Sequence, residues 1–309
     1  MSKTQSRSTD RAEKVYINGA FVPAENARIS IYDRAVLFAD SVYEVTAVLD
    51  GHLVDFDGHM ARLARSCEGL NIKMPMERAA LKLIHEKLIR QNALKEGFIY
   101  LQVTAGGGNF ESKRSFTMDR DIEPNLFMFS QPKSLIENPL VKRGMKIITL
   151  DDQRWARRDI KTTQLLSQSL ARTQAIEAGY DDAWFVSEGL VNEGASSNAF
   201  IVSDKGIIYT RPSSQKILSG ITRQAIVNCC EKQGLKLEYS AFSVSEAIKA
   251  REAFSTSATS FVLPVCEIDG HKIGSGRPGE ITLLLRKYYI EALRQSINCL
   301  LYTSPSPRD

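Results

Sequence analysis

The chain has 309 residues, 43% hydrophobic and 25% charged, which is typical of a globular protein with one large core or two smaller ones. Its 40 basic and 36 acidic residues are well mixed, without a basic stripe, so we expect no nucleic-acid partner. No apolar stretch reaches 18 residues and the polar N-terminus shows no secretory signal, so neither a membrane span nor export is expected.

Cysteine and histidine spacing bears on redox compartment and metal binding. The five cysteines are scattered and odd in number, which favours reduced thiols in the cytoplasm over a disulfide framework. The four histidines form no pair at a ligand spacing. We therefore expect no metal ion and no histidine-based triad, so acid–base chemistry must use another side chain.

The N-terminal part predicts strands, then helices, then strands. Asn18-Gly19 and Asp50-Gly51 lie between apolar residues and predict β-hairpins, the second of which follows an alternating strand at 42–49. Asp57 is predicted to cap a helix. The apolar stripe of this helix comprises Met60, Leu63, Ala64, Cys67 and Leu70. A second helix at 76–91 and strands at 98–105 and 125–131 complete an α+β domain at residues 1–130.

Residues 131–143 contain two prolines without periodicity and are predicted to link this domain to a larger one at 144–300. The larger domain is predicted to contain strands at 145–150, 183–187, 197–203, 206–210, 253–256 and 261–268, and helices at 163–178, 221–234, 244–250 and from 278 onward. Residues 301–309 carry two prolines and no pattern, and are predicted to form an unstructured tail.

Lys161, in the segment RRDIKTTQLLSQS, follows a predicted strand and leads into a segment with apolar residues at helical spacing. Those apolar positions include Leu166, Leu170 and Ile176. A lysine at this place is either a solvated residue of the first helical turn or a reactive amine, and position alone favours the solvated reading.

Three other segments are candidates for chemistry. Glu193 precedes Gly-Ala-Ser-Ser-Asn at the start of a strand, and is either an exposed hairpin residue or a carboxylate close to a ligand. Ser-Gly-Ile-Thr at 219–222 begins a helix, which is either simply capped or offers free amides to an anion. The segment STSATS at 255–260 adds amides and hydroxyls. A lysine, a carboxylate and an anion site together suit pyridoxal phosphate (PLP).

Six motifs identify a family that the chain resembles. They are SVYEV (41–45), HMARL (59–63), RWARRDIKT (154–162), NEGASSNAF (192–200), LSGITR (218–223) and TSATS (256–260). Over about residues 15–295 the chain resembles the fold-type IV PLP enzymes, and D-amino acid transaminases most closely. The resemblance implies α+β and α/β architecture in two domains, a small N-terminal α/β domain and a larger C-terminal domain with a barrel-like mixed sheet. It also implies a homodimer.

The resemblance assigns roles to individual residues. Lys161 matches the lysine that bonds covalently to PLP and moves the substrate proton, and Glu193 matches the partner of the ring nitrogen. Arg62 matches the phosphate arginine. The other matches are Leu218 against the ring, Ile221, Thr222, Ala258 and Thr259 around the phosphate, Arg154 as a brace for the lysine segment, and Tyr43 in the substrate pocket.

The chain departs from its family where the substrate carboxylate should bind. D-amino acid transaminases carry Arg-x-His after the strand at 98–105, where ungapped alignment places Phe110 and Ser112. Branched-chain transaminases have an arginine two residues after the strand tyrosine, where this chain has Gln102 after Tyr100. We take these four residues, with Tyr43, as the predicted substrate-binding set.

The predicted function is therefore transfer of an amino group from a D-amino acid to an α-keto acid by a ping-pong mechanism. The missing carboxylate clamp leaves an (R)-selective amine transaminase as the main alternative. An aminodeoxychorismate lyase and a branched-chain aminotransferase, which would use the same lysine, are further alternatives.

Overall fold

A computed structural model shows two β-sheets, one in each half of the chain, with helices packed on them. The structure describes residues 13–107, 114–117 and 121–303, and side chains as far as Asn298. Among these residues no helix is both long and apolar enough to span a membrane.

The N-terminal sheet has six strands in the order β2-β1-β6-β5-β3-β4, all paired antiparallel. They are β1 (Lys14–Ile17), β2 (Ala20–Pro23), β3 (Ser41–Leu49), β4 (His52–Leu53), β5 (Gly97–Thr104) and β6 (Leu126–Pro132). The hairpins predicted at Asn18-Gly19 and Asp50-Gly51 are confirmed. All four residues have positive φ, which is the backbone conformation of a type I′ turn.

Three helices accompany this sheet: α1 (Arg34–Phe38), α2 (Phe56–Gly69) and α3 (Arg78–Gln91). Met60, Leu63 and Leu81 join strand residues in one buried core. The prediction that Asp57 caps α2 is wrong, because the cap position is Asp55, which adopts a left-handed conformation. Ala64, which the predicted apolar stripe includes, is exposed and so does not belong to the buried face of α2.

The C-terminal sheet is mixed. Its strands are β7 (Met145–Asp151), β8 (Asp182–Ser187), β9 (Leu190–Gly194), β10 (Asn198–Val202), β11 (Ile208–Thr210), β12 (Leu237–Tyr239), β13 (Glu252–Ser257), β14 (Phe261–Ile268) and β15 (His271–Lys272). The order is β12-β11-β10-β13-β14-β7-β8-β9, with β15 on β14. Strand β7 pairs parallel with both β8 and β14, and β11 pairs parallel with β12. The strands β9, β12 and β15 are not among those predicted from the sequence.

Five helices belong to the second half: α4 (Pro139–Arg143), α5 (Leu166–Glu177), α6 (Ile221–Lys232), α7 (Val244–Ile248) and α8 (Glu280–Thr303). Helix α4 lies inside the segment predicted to be an irregular linker. Helix α8 includes the first three residues of the predicted unstructured tail, and residues 304–309 lie outside the described part of the chain. The domain boundaries stay a prediction.

Helix α5 turns an unexpected face towards the sheet. Its leucines at 166 and 170 are 73% and 60% exposed, whereas Ala171 and Ala175 are buried against Phe185 of β8. The apolar spacing predicted the helix correctly but not its buried side. Small alanines allow the helix to approach β8 closely, and this contact decides the orientation.

Two glycines of α2 allow other segments to lie directly against it. A Cβ atom at Gly58 would lie 3.1 Å from Cγ2 of Ile221, the first residue of α6. A Cβ atom at Gly69 would lie 2.9 Å from Cδ1 of Ile160, the neighbour of Lys161. Both distances are too short for ordinary packing, so glycine at these positions lets α2 approach two parts of the candidate site at once.

A buried histidine makes the stability of this fold depend on pH. His85 of α3 is fully buried, donates from Nδ1 to the carbonyl of Leu81 at 2.7 Å and packs edge-on against Phe56. Burial lowers the pKa of His85 from its ordinary value to about 4. In the unfolded chain the residue binds a proton at higher pH, so the free energy of unfolding should fall as the pH drops from 7 to 5.

We expect His85→Gln to remove about 2 kcal/mol of this pH-dependent loss, as judged from urea unfolding at pH 7 and pH 5. His271→Gln, in the exposed strand β15, is the matched control and should behave like the wild type. An unchanged difference between the two pH values in His85→Gln would show that another group is responsible.

Candidate active site

A cavity is lined by residues from both halves of the chain. Its wall includes every cofactor residue predicted from the sequence, together with Tyr43 and Arg154. These cofactor residues are Arg62, Lys161, Glu193, Leu218, Ile221, Thr222, Ala258 and Thr259. The structure thus brings together residues that are far apart in the sequence, and their individual roles stay predictions.

Lys161 is fixed at its backbone and lies at the cavity. Its carbonyl accepts a hydrogen bond from the amide of Tyr43 at 3.0 Å, and its amide donates to Oγ of Ser66 at 3.2 Å. Its Nζ lies 4.1 Å from the centroid of the Tyr43 ring. Helix α5 begins only at Leu166, so the reading of Lys161 as a solvated first-turn residue is wrong.

Glu193 also lines the cavity, on β9. It is buried, which excludes the reading as an exposed hairpin glutamate. Its carboxylate accepts hydrogen bonds from Nη1 of Arg154 at 2.6 Å, from the amide of Leu218 at 3.0 Å and from Nδ2 of Asn198 at 2.9 Å. Burial raises the pKa of Glu193, and the nearby positive charge of Arg154 opposes that rise.

Arg154 links Asp152 with Glu193. Its Nε and Nη2 donate to the carboxylate of Asp152 at 2.9 and 2.8 Å, while Nη1 reaches Glu193. Burial would raise the pKa of Asp152, but hydrogen bonds from Arg154 and Asn192 lower it below its ordinary value. These bonds tie the segment that carries Lys161 to β9, and the role of Arg154 as its brace stays a prediction.

A second buried ion pair involves Arg62 of the cavity wall. Arg62 donates from Nε and Nη2 to Glu44 at 2.7 and 2.8 Å, and from Nη1 to the carbonyl of Ser219 at 3.0 Å. His59 bonds the same carboxylate at 2.7 Å. Burial would raise the pKa of Glu44, but Arg62 and His59 hold it well below its usual range.

Glu44, His59 and Asp152 were not predicted as site residues. Glu44 did carry a signal, because it is the one charged residue on a strand whose two faces are otherwise apolar or neutral. A buried carboxylate needs a partner, so its presence indicated an ion pair. The partner could not be chosen from the sequence, because several arginines follow.

An anion site adjoins Arg62. Helix α6 begins at Ile221, and Gly220 at its cap position supplies no side-chain hydrogen bond. The first amides of a helix have no partner within it, so those of Ile221 and Thr222 are available to an anion. A Cβ atom at Gly220 would lie 2.0 Å from Oδ1 of Asn198, so only glycine fits there. Ala258 and Thr259, in the turn between β13 and β14, complete the wall.

Three buried polar atoms of the cavity wall indicate that the site suits a polar ligand. Oε1 of Gln168, Oγ of Ser197 and Oγ1 of Thr256 have no hydrogen-bond partner within the described chain. Buried polar atoms are rarely left unpaired in folded proteins. With an amine at Lys161, a carboxylate at Glu193 and an anion site beside Arg62, the residues present fit PLP.

Two predicted substrate residues do not reach the cavity wall. Tyr100 stacks on Tyr43 with the ring centroids 5.5 Å apart, and its hydroxyl donates to Gln102 at 2.8 Å. Gln102 donates in turn to Oγ of Ser41 at 3.0 Å. Tyr100 and Gln102 therefore lie beside Tyr43 and Ser41, on the neighbouring strand β5, and contact them. Phe110 and Ser112 lie outside the described residues.

Comparison with known proteins gives this arrangement a family. The model of the family described as amino-transferase class IV matches residues 41–268. The chain belongs to the class IV aminotransferases. Members of this class use PLP, which agrees with the fit of the cavity residues to this cofactor.

Curated and solved class IV relatives agree with this assignment. A D-alanine aminotransferase of Bacillus licheniformis is 37% identical over 269 residues, covering 87% of this chain and 93% of that protein. One of Listeria monocytogenes serotype 4b (strain F2365) is 33% identical, covering 92% and 97%. A branched-chain amino acid aminotransferase of T.th., solved with pyridoxamine 5′-phosphate, has a TM-score of 0.83 at 26% identity, covering 92% and 94%. This structural likeness confirms the predicted fold class.

The contact between Arg154 and Glu193 makes a prediction about pH. In Arg154→Gln, the pKa of Glu193 should rise further, because burial still disfavours the carboxylate and the positive charge is gone. Below that pKa, neutral Glu193 no longer attracts a protonated ring nitrogen. We therefore expect the acidic limb of the pH–rate profile for kcat to move to higher pH.

The matched control is Arg157→Gln, because Arg157 pairs with Asp159 and neither residue lines the cavity. Its acidic limb should coincide with that of the wild type. If the acidic limb of Arg154→Gln coincided with those of Arg157→Gln and the wild type, the proposed link between Arg154 and the charge of Glu193 would be contradicted.

Proposed function

We propose that this class IV aminotransferase moves an amino group from a D-amino acid to an α-keto acid by a ping-pong mechanism. The observation that carries the choice of donor is the 37% identity, over 87% of the chain, to a D-alanine aminotransferase. The structural relative of the branched-chain group has a lower identity of 26%. The site described above supports the chemistry that both groups share.

Each end of the cavity has a distinct task in this proposal. When bound, PLP supplies an aldehyde that condenses with amines and a ring that accepts electrons from the substrate. Lys161 holds the cofactor between turnovers, removes the Cα proton of the donor through Nζ and later returns a proton. Glu193 retains the proton on the ring nitrogen, because a buried carboxylate is stabilised by a neighbouring cation.

The phosphate end acts as an anchor. The amides of Ile221 and Thr222 and the side chains of Arg62 and Thr259 bind and orient the cofactor. Because the same Lys161 serves donor and acceptor, the two half-reactions use one set of residues in opposite directions. This sharing is the physical basis for proposing ping-pong kinetics.

One observation favours (R)-selective amine transfer as a second candidate. The described cations that line the cavity, apart from Lys161, are all engaged within the protein. Arg62 bonds Glu44, Arg154 bonds Asp152 and Glu193, Arg158 lies 3.0 Å from Asp152, and Arg223 donates to the carbonyl of Arg211. Three of these four arginines are thus paired with carboxylates, which leaves only Arg223 of the described wall without an acidic partner, and a donor without a carboxylate would need none.

We also propose that the protein is a cytoplasmic homodimer. The resemblance to fold-type IV enzymes supports the dimer, as do apolar side chains left exposed on α1 and α5, including Val36, Leu166 and Leu170. Free thiols at Cys67, Cys229, Cys230 and Cys266 support a reducing compartment.

The role of Lys161 has a direct test. Lys161→Ala should abolish turnover and covalent retention of the cofactor, because no other lysine lines the described cavity. Borohydride reduction of the wild-type holoenzyme should leave the cofactor on the peptide containing Lys161, as located by mass spectrometry. Attachment at a different lysine, or turnover by Lys161→Ala, would overturn the assignment.

The donor class can be read from single half-reactions. We would mix the holoenzyme, without acceptor, with D-alanine, L-leucine or (R)-1-phenylethylamine and quantify the carbonyl product. We expect pyruvate from D-alanine in an amount close to that of the enzyme. Faster release of acetophenone from the amine would select the second candidate, and reaction with L-leucine alone would select branched-chain transfer. No product from any donor would direct attention to lyase chemistry.

A further inference from the structure

Arg286 of α8 holds four backbone carbonyls with one buried side chain. Nη1 donates to the carbonyls of Ser260 at 2.8 Å and Val262 at 2.9 Å. Nη2 donates to the carbonyls of Leu135 at 2.7 Å and Ile136 at 2.9 Å. The planar guanidinium can satisfy acceptors on two sides at once, which a lysine ammonium cannot do in the same geometry.

The charge of Arg286 has no acidic partner within the described chain, where it makes no salt bridge. Burial lowers its pKa to about 10, so the side chain is still charged at neutral pH. A buried cation bonded only to carbonyls leaves a net positive charge in the interior. Such a charge is costly unless an anion lies close to it.

Two of the four carbonyls flank a strained residue. Phe261 is fully buried and has a φ of 59°, a left-handed conformation that a bulky side chain rarely adopts. Three residues connect β13 to β14, and the left-handed position that follows such a loop usually holds glycine. Arg286 binds the carbonyls on both sides of Phe261, and the Tyr289 ring packs edge-on against it with centroids 5.3 Å apart.

The same turn forms part of the cofactor site. Its residues Ala258 and Thr259 line the cavity together with Ile221, Thr222 and Arg62. The charge of Arg62 is already balanced by Glu44. Arg223, which lines the cavity, also has no salt-bridge partner among the described residues, so Arg286 behind the turn is a second unbalanced cation beside this wall.

We propose that Arg286 is a positioning residue for the cofactor phosphate. It holds the strained turn at 258–261 in the shape that lines the anion site, and its unbalanced charge stabilises the bound phosphate through space. The proposal rests on the phosphate lying at this end of the cavity. It does not depend on whether the donor is a D-amino acid or an amine.

A purely structural role is the competing explanation, because the bonds to Leu135 and Ile136 also tie α8 to the segment between the sheets. The two roles differ in their effect on ligands with and without a phosphate. Loss of a structural clamp weakens the binding of PLP and of pyridoxal equally. Loss of a phosphate-positioning residue weakens the binding of PLP more than that of pyridoxal.

The test is equilibrium binding of PLP and of pyridoxal to the full chain freed of cofactor. In Arg286→Met we expect the preference for PLP over pyridoxal to fall about tenfold, as for removal of one nearby charge at an intermediate dielectric. Arg286→Lys keeps the charge but cannot span four carbonyls, so its preference should lie between Arg286→Met and the wild type. Arg211→Lys, at a buried arginine outside the cavity wall, should leave the preference unchanged.

The experiment distinguishes the positioning role from the purely structural role even if Arg286→Met fails to fold. In that case Arg286→Lys is compared with the wild type. An unchanged preference in the folded Arg286 variants would overturn the proposal, even if both ligands bind less tightly. Equal affinity of the wild type for PLP and pyridoxal would overturn both the proposal and the placement of the phosphate. A different preferred donor would refute the proposed substrate and leave this result intact.

Discussion

The site depends on one short backbone pairing between the two halves of the chain. The amide of Tyr43 on β3 donates to the carbonyl of Lys161, and the amide of Thr163 donates to the carbonyl of Ser41 at 3.1 Å. These bonds form outside the regular sheets, yet they fix Lys161 relative to the N-terminal sheet. Glu193 is fixed by the C-terminal sheet. The distance between amine and carboxylate is therefore set by how the two sheets meet.

Buried charge is arranged differently around Glu193 and around Arg62. Around Glu193, Arg154 and Asp152 form a chain of alternating charges, so the carboxylate is desolvated without being isolated. Around Arg62, the positive charge is balanced by Glu44, and we propose that the amides at the start of α6 and Arg286 attract an anion there. In the function proposed above, the first arrangement keeps a proton on the ring nitrogen, whereas the second holds the phosphate.

Sequence reasoning succeeded where the signal is local. Asn-Gly and Asp-Gly specify hairpins by their own conformational preferences, and Lys161 and Glu193 lie in motifs that can be recognised in isolation. It failed where the deciding contact is distant. The cap of α2 depends on the conformation of Asp55, and the buried face of α5 depends on the fit of two alanines against β8. Arg286 contacts carbonyls about 150 positions away, which no local pattern encodes.

Tyr43 combines two functions that are chemically independent. Its backbone amide holds Lys161, while its ring forms the surface beside the lysine amine. Any residue except proline can supply the amide. Side-chain variation at position 43, and at Tyr100 beside it, can therefore reshape the pocket without displacing the lysine. This separation offers a starting point for evolving donor preference, in nature or in the laboratory, on an unchanged catalytic frame.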